Sequence, residues 1–158
     1  MSPTAFSLDG SVAIVTGSTR GIGAGIAERL AEVGASVVVS GRTVDDGEAV
    51  VDSITDDGGT AIFNRTDVRE PAEIEALIET AVAEFDGLDI LVNNAGFETD
   101  TAPDEIDLET WDAIIETDFR AYWLAANYAY PYLVESDTAA VVHRRSNPSF
   151  PTRPNKVR

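Results

Sequence analysis

The stretch Ser11-Val-Ala-Ile-Val-Thr16-Gly17-Ser18-Thr19-Arg20-Gly21-Ile22-Gly23 decides the fold. Its first half is an apolar run of the length expected for a buried strand. Its second half places glycines at the spacing G-x-x-x-G-x-G. Apolar residues then recur at Ile22, Ile26, Leu30 and Val33, a helical spacing that Gly34 stops. Strand, glycine loop and helix follow one another without a gap. Gly17 lets the chain turn sharply out of the strand. Gly21 and Gly23 keep side chains away from the point where a helix offers free N–H groups and the positive end of its dipole. An anion is the natural guest of such a loop.

Working outward, the alternation continues. Residues 35–40 contain Val37-Val38-Val39 and read as a second buried strand. Residues 44–55 read as a helix with Val44, Val51 and Ile54 facing inward, ended by Gly58-Gly59. Residues 60–64 read as a third strand. Pro71 opens a helix over 71–85, at a position where its missing N–H costs nothing. Residues 88–92 read as a fourth strand, and 108–134 as one long helix carrying both tryptophans and all four tyrosines. A fifth strand runs over 139–142. Strands alternating with helices predict a parallel sheet covered on both faces. Right-handed crossovers make it doubly wound, with strand order 3-2-1-4-5.

The bulk properties narrow the function. A chain of 158 residues suits one domain and can bury a real core. There are no cysteines, which excludes disulfides and thiolate chemistry. No apolar run is long enough for a membrane span, and the first ten residues lack the features of a secretory signal, so a cytoplasmic protein is expected. With 28 acids against 11 bases the net charge is −17, which opposes nucleic-acid binding. Acid pairs such as Asp45-Asp46 and Asp56-Asp57 read as solvated helix faces rather than metal ligands. The acid-rich, lysine-poor composition suits a high-salt cytoplasm.

Four landmarks occur in order: Thr16-Gly-x-x-x-Gly-Ile-Gly23, Asp67-Val68 after the third strand, Asn93-Asn94-Ala95-Gly96 after the fourth, and Trp111-Asp112 opening the long helix. In these residues the chain resembles the short-chain dehydrogenases/reductases, over about residues 8 to 142. The resemblance implies a Rossmann-type domain, an NAD(P) cofactor and hydride transfer to or from an alcohol or carbonyl substrate. It implies that Gly17, Ser18, Arg20, Gly21, Ile22 and Gly23 cradle the pyrophosphate and adenosine ribose. Asp67 and Val68 would meet the adenine, and Asn94, Ala95 and Gly96 would line the ribose side. Asn93 would tie neighbouring strands together. Where an NAD site carries an acid at the end of the second strand, this chain has Gly41 followed by Arg42. A guanidinium suits a 2′-phosphate, and Arg20 adds a second positive charge, so NADP is expected in preference to NAD. A solvent-facing Arg42 is the alternative.

The family's chemistry needs Tyr-x-x-x-Lys on one helix, with a serine upstream. Four residues after Tyr122, Tyr128, Tyr130 and Tyr132 stand Ala126, Tyr132, Val134 and Ser136. No tyrosine has its lysine, so no catalytic residue is assigned. Asp118 stands where the family has an asparagine that relays protons, and it lacks the amide donors. Residues 143–158 hold five of the 11 bases and none of the 28 acids. This predicts a disordered basic tail following a 1–142 cofactor domain, as a shifted reading frame would give. His143 is read as part of that tail. Turnover by this chain is not expected, whereas self-association is, through the long helix and the open edge of the fifth strand.

Overall fold

The structure, a computed structural model, describes residues 6–144. The expectation for the tail from residue 145 onward lies outside the described residues. Five parallel strands form one sheet in the order β3-β2-β1-β4-β5. They are β1 (Val12–Val15), β2 (Ser36–Gly41), β3 (Thr60–Arg65), β4 (Ile90–Asn93) and β5 (Ala140–His143). The helices are α1 (Gly21–Glu32), α2 (Val44–Asp56), α3 (Pro71–Phe85), α4 (Leu108–Ile115) and α5 (Ala121–Leu133). The expected architecture and strand order are therefore present.

The two-residue period of the strands splits the core in two. Ala13, Val15, Val37, Val39, Ile90 and Val92 face α1 and α2, packing against Ala27, Ala31, Val50 and Ile54. Val12, Ile14, Val38 and Leu91 face the other way, onto Ile74, Leu77 and Ile78 of α3 and an alanine stripe on α5. That stripe, Ala121, Ala125 and Ala129, repeats every four residues and ends at Leu133. Its small side chains let α5 lie close to its neighbours.

Four readings of the sequence differ from the structure. The helix expected over 108–134 is divided by a π turn, Glu116–Arg120, between α4 and α5. In α1 the buried face is Gly23, Ala27 and Ala31, one residue along from the apolar series that suggested the helix, and Ile22 is 61% exposed. In α2 the buried positions are Gly47, Val50 and Ile54, while Val44 lies outside. Small residues take the buried face of α1 and position 47 of α2 because a helix lying on a sheet needs close approach there more than side-chain bulk. The fifth strand also ends later than expected: His143 is its last residue and pairs with Asn93.

Candidate functional site

The site is built at the carboxyl ends of β1 and β4, where the strand order reverses direction. Thr16 follows β1, and its Oγ1 accepts the N–H groups of Asn94 (3.0 Å) and Ala95 (3.0 Å). Asn94, nearly buried, donates from Nδ2 to Thr16 O (3.0 Å) and to Gly17 O (2.9 Å). The two sequence motifs are thus one structure, cross-bonded over the gap between β1 and β4.

Glycine is required at two points here. Gly17 has φ +62°, and a Cβ on it would sit 2.8 Å from Ala95 Cα. A Cβ on Gly23 would sit 2.2 Å from Gly17 O and 2.4 Å from Asn94 Nδ2. Gly21, at φ +57°, has no atom within 4 Å of where its Cβ would be. The loop is tight underneath, at Gly17 and Gly23, and open at Gly21.

Of the helices that begin from a loop, the one behind the glycine loop is alone in having no acid in its first turn. The first turns of α2, α3 and α4 carry Asp45 with Asp46, Glu73 and Glu109. The first turn of α1 carries no acid, and Arg20 at its N-cap makes no side-chain cap. An acid-rich protein has left the positive end of this dipole, and its free N–H groups, unneutralised.

The remaining candidates fall on both sides of the loop. Ser18 turns inward: its hydroxyl donates to Val15 O (2.6 Å) and accepts from Ser40 N (2.9 Å). Its backbone N–H also donates to Ser40 O (2.8 Å) and the residue is fully buried, so Ser18 ties the loop to β1 and β2 from within. Arg42 is exposed just past β2, and a Cβ on Gly41 would meet Thr19 Cγ2 at 2.5 Å. Arg29, Arg65, Arg69 and Arg120 sit in ion pairs with glutamates, whereas Arg20 and Arg42 do not, among the described residues. Asp67, half-buried, accepts Arg69 N–H at 3.0 Å, and its own N–H donates to Glu73. Val68 packs against the α3/α5 core. Gly96 is exposed at the mouth of the site, beside half-buried Ala95.

Asp118 lies in the π turn, with Oδ1 accepting Phe97 N–H at 2.9 Å. Burial pushes its carboxyl pKa up, partly offset by that hydrogen bond. Tyr122 places its hydroxyl 2.8 Å from Ala95 O and 3.0 Å from Arg144 O. Burial raises its pKa, the Asp118 charge adds to the rise, and Arg144 opposes it. A tyrosine that passes protons needs the opposite shift. Its ring stacks on His143 at 5.5 Å. Asn93 Nδ2 lies 3.1 Å from His143 Nδ1, which ties β4 to β5. Sequence reading passed over Thr16, Tyr122 and Arg144 as site residues. Thr16 stood inside the motif and could have been found there. Tyr122 meets the site only once α5 packs beside the end of β4, and Arg144 only once β5 is in place.

The aromatic residues of the stretch read as one long helix divide. Trp123 is 64% exposed, with Trp111, Phe119 and Tyr130 exposed too, but Tyr128 and Tyr132 are partly buried against the core. Among the described residues no helix is long and apolar enough to cross a membrane.

A profile described as short chain dehydrogenase matches residues 11–157. The match runs on through most of the basic tail. Cis-4-hydroxycyclohexanecarboxylate dehydrogenase of Sinomonas cyclohexanicum is 38% identical over 133 residues, which is 84% of this chain and 53% of that protein. Glucose 1-dehydrogenase 2 of Bacillus subtilis is 36% identical over 132 residues, covering 82% and 51%. Among solved structures, a metagenomic short-chain oxidoreductase in complex with NADP superposes with a TM-score of 0.82 at 34% identity, covering 87% of this chain and 63% of that one. A dehydrogenase/reductase from Sinorhizobium meliloti gives 0.82 at 38% identity, covering 87% and 54%. The chain spans about half the length of the curated relatives it matches.

Proposed function

The chain belongs to the short-chain dehydrogenase family, and from that premise we propose that it binds NADP(H) for hydride transfer between the nicotinamide and an alcohol or carbonyl compound. The observation that carries the binding half is the acid-free, uncapped N-terminus of α1 behind an open glycine loop. The backbone N–H groups after Gly21 would hold the pyrophosphate. The clash-filled floor at Gly17 and Gly23 sets how deeply it sits. Asp67, Val68, Asn94, Ala95 and Gly96 would take the adenine and ribose sides. When bound, the dinucleotide supplies the hydride acceptor or donor. The chain's own part is to hold and orient it.

Preference for NADP over NAD rests on Arg20 in the loop and Arg42 just past β2, two arginines without carboxylate partners among the described residues. Thr19 occupies the space next to Gly41, where a recognition acid for a 2′-hydroxyl would stand. A solved relative that holds NADP supports the same reading. Calorimetry in molar salt tests it: NADP is expected to bind more tightly than NAD, and Arg42→Asp to reverse the order. Tighter NAD binding by the natural sequence would refute it.

A second reading is favoured by one specific observation. No tyrosine here has a lysine four residues later, and the tyrosine nearest the site, Tyr122, has its pKa raised. On that reading the chain binds cofactor without turnover. General acid–base catalysis typically contributes roughly 10²–10⁴-fold. NADPH oxidation with a panel of ketones, and NADP reduction with secondary alcohols, is expected to stay at background. Turnover that co-purifies with the chain and vanishes in Asp118→Ala would overturn this. We further propose self-association through the exposed aromatics of α4 and α5. Sedimentation showing a clean monomer at all salt concentrations would count against it.

A further inference from the structure

The polar chain that ends at the glycine loop begins on a residue no motif contains. Arg144 follows β5 and donates from Nε to Asn94 Oδ1. Its backbone N–H donates to Asn93 O (2.9 Å), and its carbonyl lies 3.0 Å from the Tyr122 hydroxyl. The Arg144 backbone is therefore held on β4, and its carbonyl shares the one Tyr122 hydroxyl proton with Ala95 O. The Asn94 amide is also fully committed. Its NH₂ faces two carbonyls, which only accept, and its oxygen faces a guanidinium, which only donates. Turning that amide over would set oxygen against both loop carbonyls and NH₂ against a positive charge. The same Nδ2 stands 2.4 Å from where a Gly23 Cβ would be, so the amide also abuts the start of α1.

We propose that Arg144 is a positioning residue for the dinucleotide loop: its guanidinium fixes the Asn94 amide, which in turn fixes Thr16 O and Gly17 O at the turn into α1. The consequence for cofactor binding rests on the NADP(H) reading above. The positioning itself does not.

The test has two arms. In the first, the free protein is studied by nuclear magnetic resonance at high salt. The Asn94 side-chain NH₂ is expected to exchange slowly in the natural sequence, about tenfold or more faster in Arg144→Leu, and slowly again in Arg144→Lys. The surface variant Arg29→Leu, which removes the same charge, is expected to leave it unchanged. An Asn94 NH₂ indifferent to Arg144→Leu, or equally fast in the Leu and Lys variants, would overturn the proposal. If Arg144→Leu does not fold, the natural protein still decides. An Arg144 Nε–H that exchanges as fast as that of Arg29 refutes the contact.

In the second arm NADPH is titrated by fluorescence. Arg144→Leu is expected to weaken binding about tenfold, with no change in the dependence on salt, because the guanidinium acts through Asn94. A loss that disappears at high salt would mean direct attraction of the phosphates and would overturn the positioning role. Failure of the natural sequence to bind NADPH counts against the cofactor reading and leaves the first arm to judge the inference.

Discussion

Single atoms set the limits of this site. Gly23→Ala puts a Cβ 2.2 Å from Gly17 O, a backbone atom with nowhere to move. Overpacking of that kind costs about 1–3 kcal/mol, so a lower melting temperature and lost NADP binding are expected together. Gly25, two residues on in the same helix, has nothing within 4 Å of its Cβ position. Gly25→Ala is expected to stabilise by about 0.5–1 kcal/mol in the same melting experiment. If both substitutions behave alike, the loop geometry is wrong. Asp118 gives a pH test. Burial raises its pKa above 3.8, so the folded state holds the proton more tightly than the unfolded chain. The stability this contributes is complete below 3.8 and is lost as pH rises through the raised value. Asp118→Asn keeps an oxygen for Phe97 N–H without the charge. Its melting temperature should match the natural protein's in acid and exceed it increasingly toward neutrality; a gap that is flat or narrows would refute this. Gly17, Gly21, Gly23 and Asn94 could be picked out from the sequence because their motifs are local. The inward hydroxyl of Ser18 and the reach of Arg144 could not, since both depend on strands far apart in the chain.

At the scale of elements, α5 shows what periodicity conveys and what it hides. Its alanine stripe packs at four-residue intervals, and Ala125 is buried between α3 and the sheet. Ala125→Leu is expected to cost about 1–3 kcal/mol, measured by denaturant titration, because the helix cannot retreat without breaking its row of contacts. The same substitution at exposed Tyr130 should change stability little. Strand and helix identities were readable because the strands are solid apolar runs and the helices end at glycine or begin at proline. The π turn was not, since Glu-Thr-Asp-Phe-Arg suits an ordinary helix. What forces the wider turn is a tertiary demand: Asp118 bonds Phe97 while α5 keeps its alanines on the core. Such turns recur at functional positions for this reason. The exact buried face of α1 was hidden too, because glycine and alanine carry little hydrophobic signal.

For the molecule as a whole, charge dominates. A net charge of −17 is met by four ion pairs among the described residues, none of them deeply buried. Self-repulsion should therefore weaken the fold at low ionic strength. Raising potassium chloride toward 1 M, where the screening length falls to about 3 Å, is expected to raise the melting temperature steadily. A flat or falling curve would exclude the high-salt reading of the composition. The strand order carries a further consequence. The central strand β1 takes one neighbour from early in the chain, Val37 beside Ala13, and the other from much later, Ile90 beside the same residue. During synthesis the first three strands and α1 and α2 are available while β4 is still unmade. One flank of β1 can mature on the ribosome while the other waits with its backbone unpaired, so the nascent chain passes through a stage with its future centre line as a bare margin. Slowing translation between α3 and β4 would prolong that stage, and this is when a chaperone would find most to hold.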